Sequence, residues 1–246
     1  MSGLDWNSAF ALEILPRLLQ GTMWTLITTL ASFAVAAVLG IVFAVLCDAP
    51  RAIIRWPARA LVDFIRGTPI LIQLYLLYFS LPAIGLTLPA LLVGILTLSI
   101  HYACYMCDTY RAGLSAVPKG QREAAHSLGL HRRQTFFMIV LPQAIRPIIP
   151  MLGNYLIFLF KETPLLSAVA IIELLQTAKL IGSETFRYTE PFTLVGLIFL
   201  VLSLAASWVL RKLEARYATG RYGRSTSPGT ANEGARAPTR NAQPQA

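Results

Sequence analysis

From Thr22 to Leu46 the chain reads TMWTLITTLASFAVAAVLGIVFAVL, without one charged side chain. About 20 consecutive apolar residues carry a helix across a hydrocarbon core, so this run commits the chain to a bilayer. Four further apolar tracts are predicted as spans: about Ala60 to Leu81, Leu88 to Met106, a tract from near Ile148, and Phe192 to Leu210. The expected fold is an all-α integral membrane protein with five spans. Composition agrees: 55% of the 246 residues are hydrophobic, 13% are charged and the mean hydropathy is +0.59, whereas a soluble domain carries about 25% charged residues. The net charge of +9 would point to nucleic acid in a soluble chain. Spanning proteins, however, collect Lys and Arg in their cytoplasmic loops, so the position of the charges matters more than their total.

A basic island, Val117 to Pro150, separates two of these apolar segments. Within it Gly129 is flanked on both sides by helix-forming residues, and Gly most readily takes the left-handed backbone that ends one helix and lets the next leave at an angle. The island is predicted to fold as helix, tight turn, helix. A DNA-binding helix-turn-helix has similar local features, but such a reader needs a soluble domain, and this loop is tethered to apolar spans at both ends.

Glu123, Ala124, Ala125, Gly129, Ile139, Leu141 and Pro142 have the spacing E-A-A-x3-G-x9-I-x-L-P. This resembles the EAA loop of the membrane subunits of ABC importers and matches it at each fixed position. The resemblance implies a type I importer transmembrane domain with a cytoplasmic coupling loop over residues 112–147. It further implies that the first helix of the loop docks in a groove of the ATP-binding subunit, with Gly120, Glu123, Ala124, Ala125, Gly129, Leu141 and Pro142 as the coupling residues. Small Ala124 and Ala125 suit a close backbone approach, and Arg122, Glu123, Arg132 and Arg133 suit a charged rim that fixes register.

The polar residues inside the spans are the other candidates. Arg66-Gly67-Thr68-Pro69 with Gln73 resembles the polar amino-acid uptake family of these permeases, and Arg66 either contacts solute or snorkels to the surface. Asp63 and Arg66 lie at i, i+3 and are predicted to pair. His101 is expected to be packed and hydrogen-bonded. Asp108 matches an acidic position common in the family, and Arg111 is its candidate partner. Lys161-Glu162-Thr163-Pro164 interrupts the fourth tract, where Pro164 removes a backbone donor. The expected break, tolerated only where protein covers it or a water-filled cavity adjoins it, makes Lys161, Glu162, Thr163 and Pro164 candidates for the translocation pathway with Arg66, Thr68, Gln73 and Asp108. This segment resembles the family's K-x-T-S-L, with Pro164 where Ser is usual. That departure and the stretch Ile181 to Gly196 resemble a subgroup for ectoine and related compatible solutes. Cys104 and Cys107 have C-x-x-C spacing, but no second Cys or His pair completes a metal site, so with Cys47 they are read as packing residues and no metal is expected.

Charge placement orients the chain. The loop Cys47 to Arg59 holds three Lys and Arg residues, Asp108 to Arg146 six, and the chain after Leu210 seven, together 16 of the 21. The positive-inside rule puts these in the cytoplasm, the N-terminal segment 1–20 outside, and the C-terminus inside. Residues 217–246, rich in Gly, Ser, Thr, Pro and Ala, are expected to form a disordered cytoplasmic tail.

The resemblance, from about Gln20 to Tyr217, implies a permease of the bacterial inner membrane for polar amino acids, or alternatively for ectoine and hydroxyectoine. The chain has no G-x4-G-K-[S/T] sequence, so no cofactor is expected in it, and ATP and Mg would be used by a partner ATPase. The implied partners are an ATP-binding subunit dimer, a second permease subunit (identical or paralogous), a periplasmic solute-binding protein, a small zwitterionic solute and membrane lipid, with no nucleic acid. An ion-coupled carrier would show internal repeats and more spans, and a membrane-anchored regulator would use the island as a DNA reader.

Overall fold

The computed structural model describes residues 6–217. The expected disordered tail, apart from Tyr217, lies outside the described residues, as do residues 1–5. The described chain comprises α1 (Ser8–Cys47), α2 (Ala52–Gly67), α3 (Ile70–Ala83), α4 (Ala90–Ser115), α5 (Lys119–Ser127), α6 (Arg132–Thr135), a π turn (Phe136–Val140), α7 (Leu141–Glu162), a 3-10 segment (Thr163–Val169), α8 (Leu174–Thr185) and α9 (Thr189–Tyr217). Among the described residues four stretches are long and apolar enough to cross a membrane, and the total is five when the bent pair α2 and α3 counts as one.

The spans assemble around α4. It runs parallel to α1: Ser99 donates its hydroxyl to Ser32 O, the Tyr110 hydroxyl donates to Ala37 O, and Arg111 pairs with Asp48. Helix α7 returns antiparallel to α4, with the Thr109 hydroxyl on Tyr155 Oη, and Phe160 packs at a tilt against Phe199 of α9. Ala36, Leu98, Ala103, Met106 and Leu159 are fully buried at the centre. Small residues there let the backbones approach, which is how helices associate without a hydrophobic drive in lipid. This topology brings the C-terminus of α1, all of α2, the hairpin α5–α6 and the C-terminus of α9 to one end. The described parts of the three basic segments therefore share a side.

The second predicted span differs from expectation. Instead of one helix over Ala60 to Leu81, α2 and α3 meet at 106°. Thr68 is extended (φ −110°, ψ 142°) and Pro69 caps α3. A proline disfavours helix in the residue before it, and here that preference divides the tract into arms of 16 and 14 residues.

At the fourth tract the difference has the opposite sense. Pro164 does not unwind the chain. Thr163 keeps helical angles, and the backbone tightens into a 3-10 helix that ends at left-handed Ala170 (φ 57°). Phe160 O, which Pro164 cannot reach for want of an N–H, accepts instead the Thr163 hydroxyl at 2.8 Å. That substitution removes the need for an open break.

Between the 3-10 segment and α9 the chain forms helix α8. Glu173 is fully buried and caps α8 by accepting from Leu175 N (2.9 Å) and Gln176 N (2.6 Å). Leu174 N donates to Thr25 Oγ1, fastening α8 to α1. Helix α1 starts at Ser8 with Asn7 as its cap, so residues 8–20 continue the first helix. There Arg17 forms a two-pronged pair with Glu184 at 2.7 and 3.1 Å, and this guanidinium holds the Glu184 carboxyl below its ordinary range.

Candidate coupling hairpin and translocation site

Helix α5 ends in a Schellman turn. Leu128 N reaches Ala124 O, Leu130 N reaches Ala125 O at 3.1 Å, and Gly129 sits between them at φ +76°. That left-handed angle costs an L-residue with a Cβ about 1–2 kcal/mol, which explains glycine here. His131 N then donates to Gln134 Oε1 at 3.0 Å to start α6. The π turn lets α6 pass into α7 while Val140 is buried with Val117, Ala144 and Ile148. The predicted helix, turn and helix are thus present.

Of the coupling candidates, Gly120, Glu123, Ala124, Gly129 and Pro142 are exposed and Leu141 is half-buried. Ala125 is buried inside the hairpin, so only Ala124 of the pair offers a small surface to a partner. Between α5 and α6 an open cleft of about 600 Å³ is lined by Leu114, Arg122, Glu123, His126, Arg132 and Phe136, among others. Exposed Leu128, Phe137 and Met138 give the hairpin an apolar surface that the motif spacing does not include. Its only sequence signal is an apolar run inside a basic island.

The structure brings Arg66, Thr68, Gln73 and Asp108 together at the elbow of α2 and α3. Gln73 Nε2 donates to Ile65 O (2.6 Å), Thr68 Oγ1 (2.8 Å) and Thr68 O (3.1 Å), while its Oε1 meets His101 Nδ1 of α4 at 3.2 Å. One side chain thereby satisfies the open end of α2 and ties the bend to the central helix. Arg66 pairs with Asp108, not with the predicted Asp63, because the bend carries it toward α4. Asp108 also receives Arg111 (3.3 Å), which continues to Asp48 (2.9 Å), and Asp48 receives Arg59 (3.5 Å). Three cations and two carboxylates so chain α1, α2 and α4 together. His101 is buried and hydrogen-bonded, as expected. Cys47, Cys104 and Cys107 are buried together against Val62 and Ile65. Among the described residues no group of His, Cys, Asp and Glu is placed to hold a metal.

Gln73→Leu is expected to lower stability by about 2 kcal/mol, because it leaves Thr68 O and the His101 imidazole without these partners, at roughly 1–3 kcal/mol for each fully buried group. For a chain of this size that corresponds to about 4–8 °C. The temperature at which the buried cysteines become reactive to a fluorescent maleimide measures it, and an unchanged midpoint would show that the elbow holds without Gln73.

Lys161, Glu162, Thr163 and Pro164 occupy a second location, joined to the elbow by aromatic rings. The Arg66 guanidinium lies 5.2 Å from the Tyr105 ring centre; Tyr105, Tyr102 and Tyr155 are mutually 6.1 to 6.2 Å apart. The Tyr102 hydroxyl lies beside the Glu162 carboxylate. Among the described residues Glu162 Oε2 is buried without a hydrogen-bond partner. Lys161 turns outward and is exposed, while Thr163 is fully buried. Sequence reasoning missed the three tyrosines, which stand on two helices far apart in the chain.

These features define a multi-span α-helical membrane protein with a basic hairpin at one end and a polar, tyrosine-lined track among its helices. Residues 36–219 match the family model for the binding-protein-dependent transport system inner membrane component, and the chain belongs to that family. It is 47% identical over 214 residues to a probable amino-acid ABC transporter permease of Sinorhizobium fredii, covering 85% of this chain and 93% of the relative. It is 35% identical to the probable glutamine ABC transporter permease GlnM of Bacillus subtilis (80% and 92% covered) and 32% identical to the arginine transport permease ArtQ of the same organism (82% and 93%). The crystal structure of an amino acid ABC transporter with histidines superposes with a TM-score of 0.82 at 32% identity, covering 87% of this chain and all of that one. The MetNI methionine ABC transporter shares the fold, with a TM-score of 0.70 at 21% identity over 83% of this chain and 98% of that one. The fold is therefore that of a type I ABC importer permease. The ectoine alternative drawn from Pro164 and Ile181 to Gly196 gains no support from these relatives.

Proposed function

We propose that the chain is the permease subunit of an ATP-driven importer of polar amino acids, forming half of the pathway and coupling it to separate ATPase subunits that use ATP and Mg. The observation that carries this reading is the hairpin α5–α6, closed by Gly129 and held by the two helices that run on into the bilayer, α4 and α7. Its exposed Glu123, Ala124 and Leu128 fit a docking helix with a charged rim. Motion imposed there passes directly into the spans.

The pathway reading rests on the polar track. The unpartnered oxygen of Glu162 would receive the ammonium group of a zwitterionic solute, and the tyrosines would flank it with faces suited to a cation. Thr163, being buried, would act as packing, while Lys161 is exposed and Glu162 half-buried. The basic end lies in the cytoplasm of the bacterial inner membrane and the N-terminus outside it, where a solute-binding protein delivers its cargo. A second permease, identical or paralogous, completes the pathway.

Purification of the full chain with co-expressed candidate ATPases, followed by reconstitution, tests the reading. ATP-dependent uptake of labelled glutamine, arginine or histidine is expected. Ectoine uptake with no amino-acid uptake would overturn the substrate class, and failure of any ATPase to co-purify would overturn the importer itself.

A further inference from the structure

Helix α2 has three distinct faces. Ile53, Trp56, Leu61 and Phe64 share one at i, i+3, i+8 and i+11, and they are 82, 66, 48 and 68% exposed. Val62 and Ile65 form the second, buried against Cys47, Cys104 and Cys107. Arg55, Arg59 and Arg66 form the third. Arg59 and Arg66 are committed to Asp48 and Asp108. Arg55 reaches only the carbonyl of Ala49, and Arg51 at the helix start is exposed; neither has a carboxylate partner among the described residues.

Helix α2 makes an angle of 106° with α3, so the two cannot both run along the membrane normal, and α2 is the arm that carries the arginines. An apolar face carrying Trp, opposite a cationic one, is the pattern of a helix seated in the membrane interface. Unpaired arginines at that level complement phosphate headgroups. A second copy of this chain, itself at net charge +9, brings no acidic surplus to meet them.

We propose that α2 is an interfacial helix that binds anionic phospholipid: Ile53, Trp56 and Phe64 enter the acyl boundary, and Arg51 and Arg55 hold headgroup phosphates. It thereby anchors the elbow whose other side is tied to α4.

The test uses the full chain, in the complex in which it purifies, with Trp6, Trp24 and Trp208 changed to Phe, and subtracts the signal of the same complex carrying Trp56→Phe so that the difference reports Trp56. The protein is placed in phosphatidylcholine vesicles containing a minority of phosphatidylglycerol, with nitroxide labels either near the headgroup or deep in the acyl chain. Quenching of Trp56 by the shallow label is expected to exceed that by the deep label by about twofold or more, as for a face buried about 5–10 Å into the boundary. Stronger quenching by the deep label would show a spanning helix, and quenching by neither would show a face covered by an ATPase or a second copy; both overturn the proposal. In Arg51→Gln/Arg55→Gln the preference for spin-labelled phosphatidylglycerol over phosphatidylcholine is expected to fall at least about twofold, against an upper limit of about fivefold per guanidinium, with the Trp56 depth retained. An unchanged preference would overturn the headgroup assignment.

Discussion

Gly129→Pro is expected to lower transport by the reconstituted complex at least tenfold and to remove stimulation of the ATPase by loaded binding protein, while leaving membrane insertion intact. Gly129 stands at φ +76° and donates its N–H to His126 O at 3.0 Å. Proline holds φ near −65° and has no N–H to give, so it cannot enter this turn and the exit angle of α6 must change. Gly129→Ala should act in the same direction but more weakly, at about 1–2 kcal/mol for the left-handed angle, since nothing lies within 4 Å of where its Cβ would stand. Glu123→Lys, which reverses an exposed charge on α5 without touching the turn, separates docking from folding of the hairpin. If stimulation by loaded binding protein survives all three, the hairpin does not couple.

Gly113→Val is expected to be nearly as damaging, by a different route. A Cβ at Gly113 would lie 2.4 Å from Ile148 Cγ1 and 3.1 Å from the backbone oxygen of Ala144. Helices α4 and α7 therefore touch through the absence of a side chain, and valine must push them apart. Overpacking of this kind costs about 1–3 kcal/mol, or about 2–4 °C in melting temperature per kcal/mol for a chain of this size. The functional loss should be larger than the stability loss, because the same two helices lead into and out of the hairpin, where Val117 and Val140 share a buried cluster with Ala144 and Ile148. Combining Gly113→Val with Ile148→Ala should recover part of both, with a coupling energy of about 1 kcal/mol or more in the double-mutant cycle. Simple additivity of the two losses would place the damage elsewhere than this contact.

What could be read without coordinates had local causes. The uncharged run from Thr22 to Leu46 dictates a membrane helix on length and solvation alone. A glycine ten positions before Ile139, with helix formers on both sides, dictates the hairpin, because a left-handed residue between two helices is a local requirement. Loop charges likewise showed which segments belong together, and the parallel run of α1 and α4 later placed those segments at one end.

Tertiary structure decided the rest, because other atoms compete for the same groups. Asp63 and Arg66 have the spacing of an ion pair, yet Arg66 goes to Asp108 once Thr68 and Pro69 bend the chain. Pro164 has the marks of a helix break, yet the Thr163 hydroxyl takes over Phe160 O and the helix only tightens. Glu173 carries an ionisable side chain, yet its backbone neighbour Leu174 meets Thr25 and its carboxylate caps α8, so it is fully buried. The track through Tyr102, Tyr105 and Tyr155 joins helices about 50 positions apart in sequence, a distance over which no spacing rule extends. Periodicity reports how one helix meets its solvent, whereas the partner of each polar group inside a bundle depends on which helix arrives opposite, and that is settled only when all of them pack.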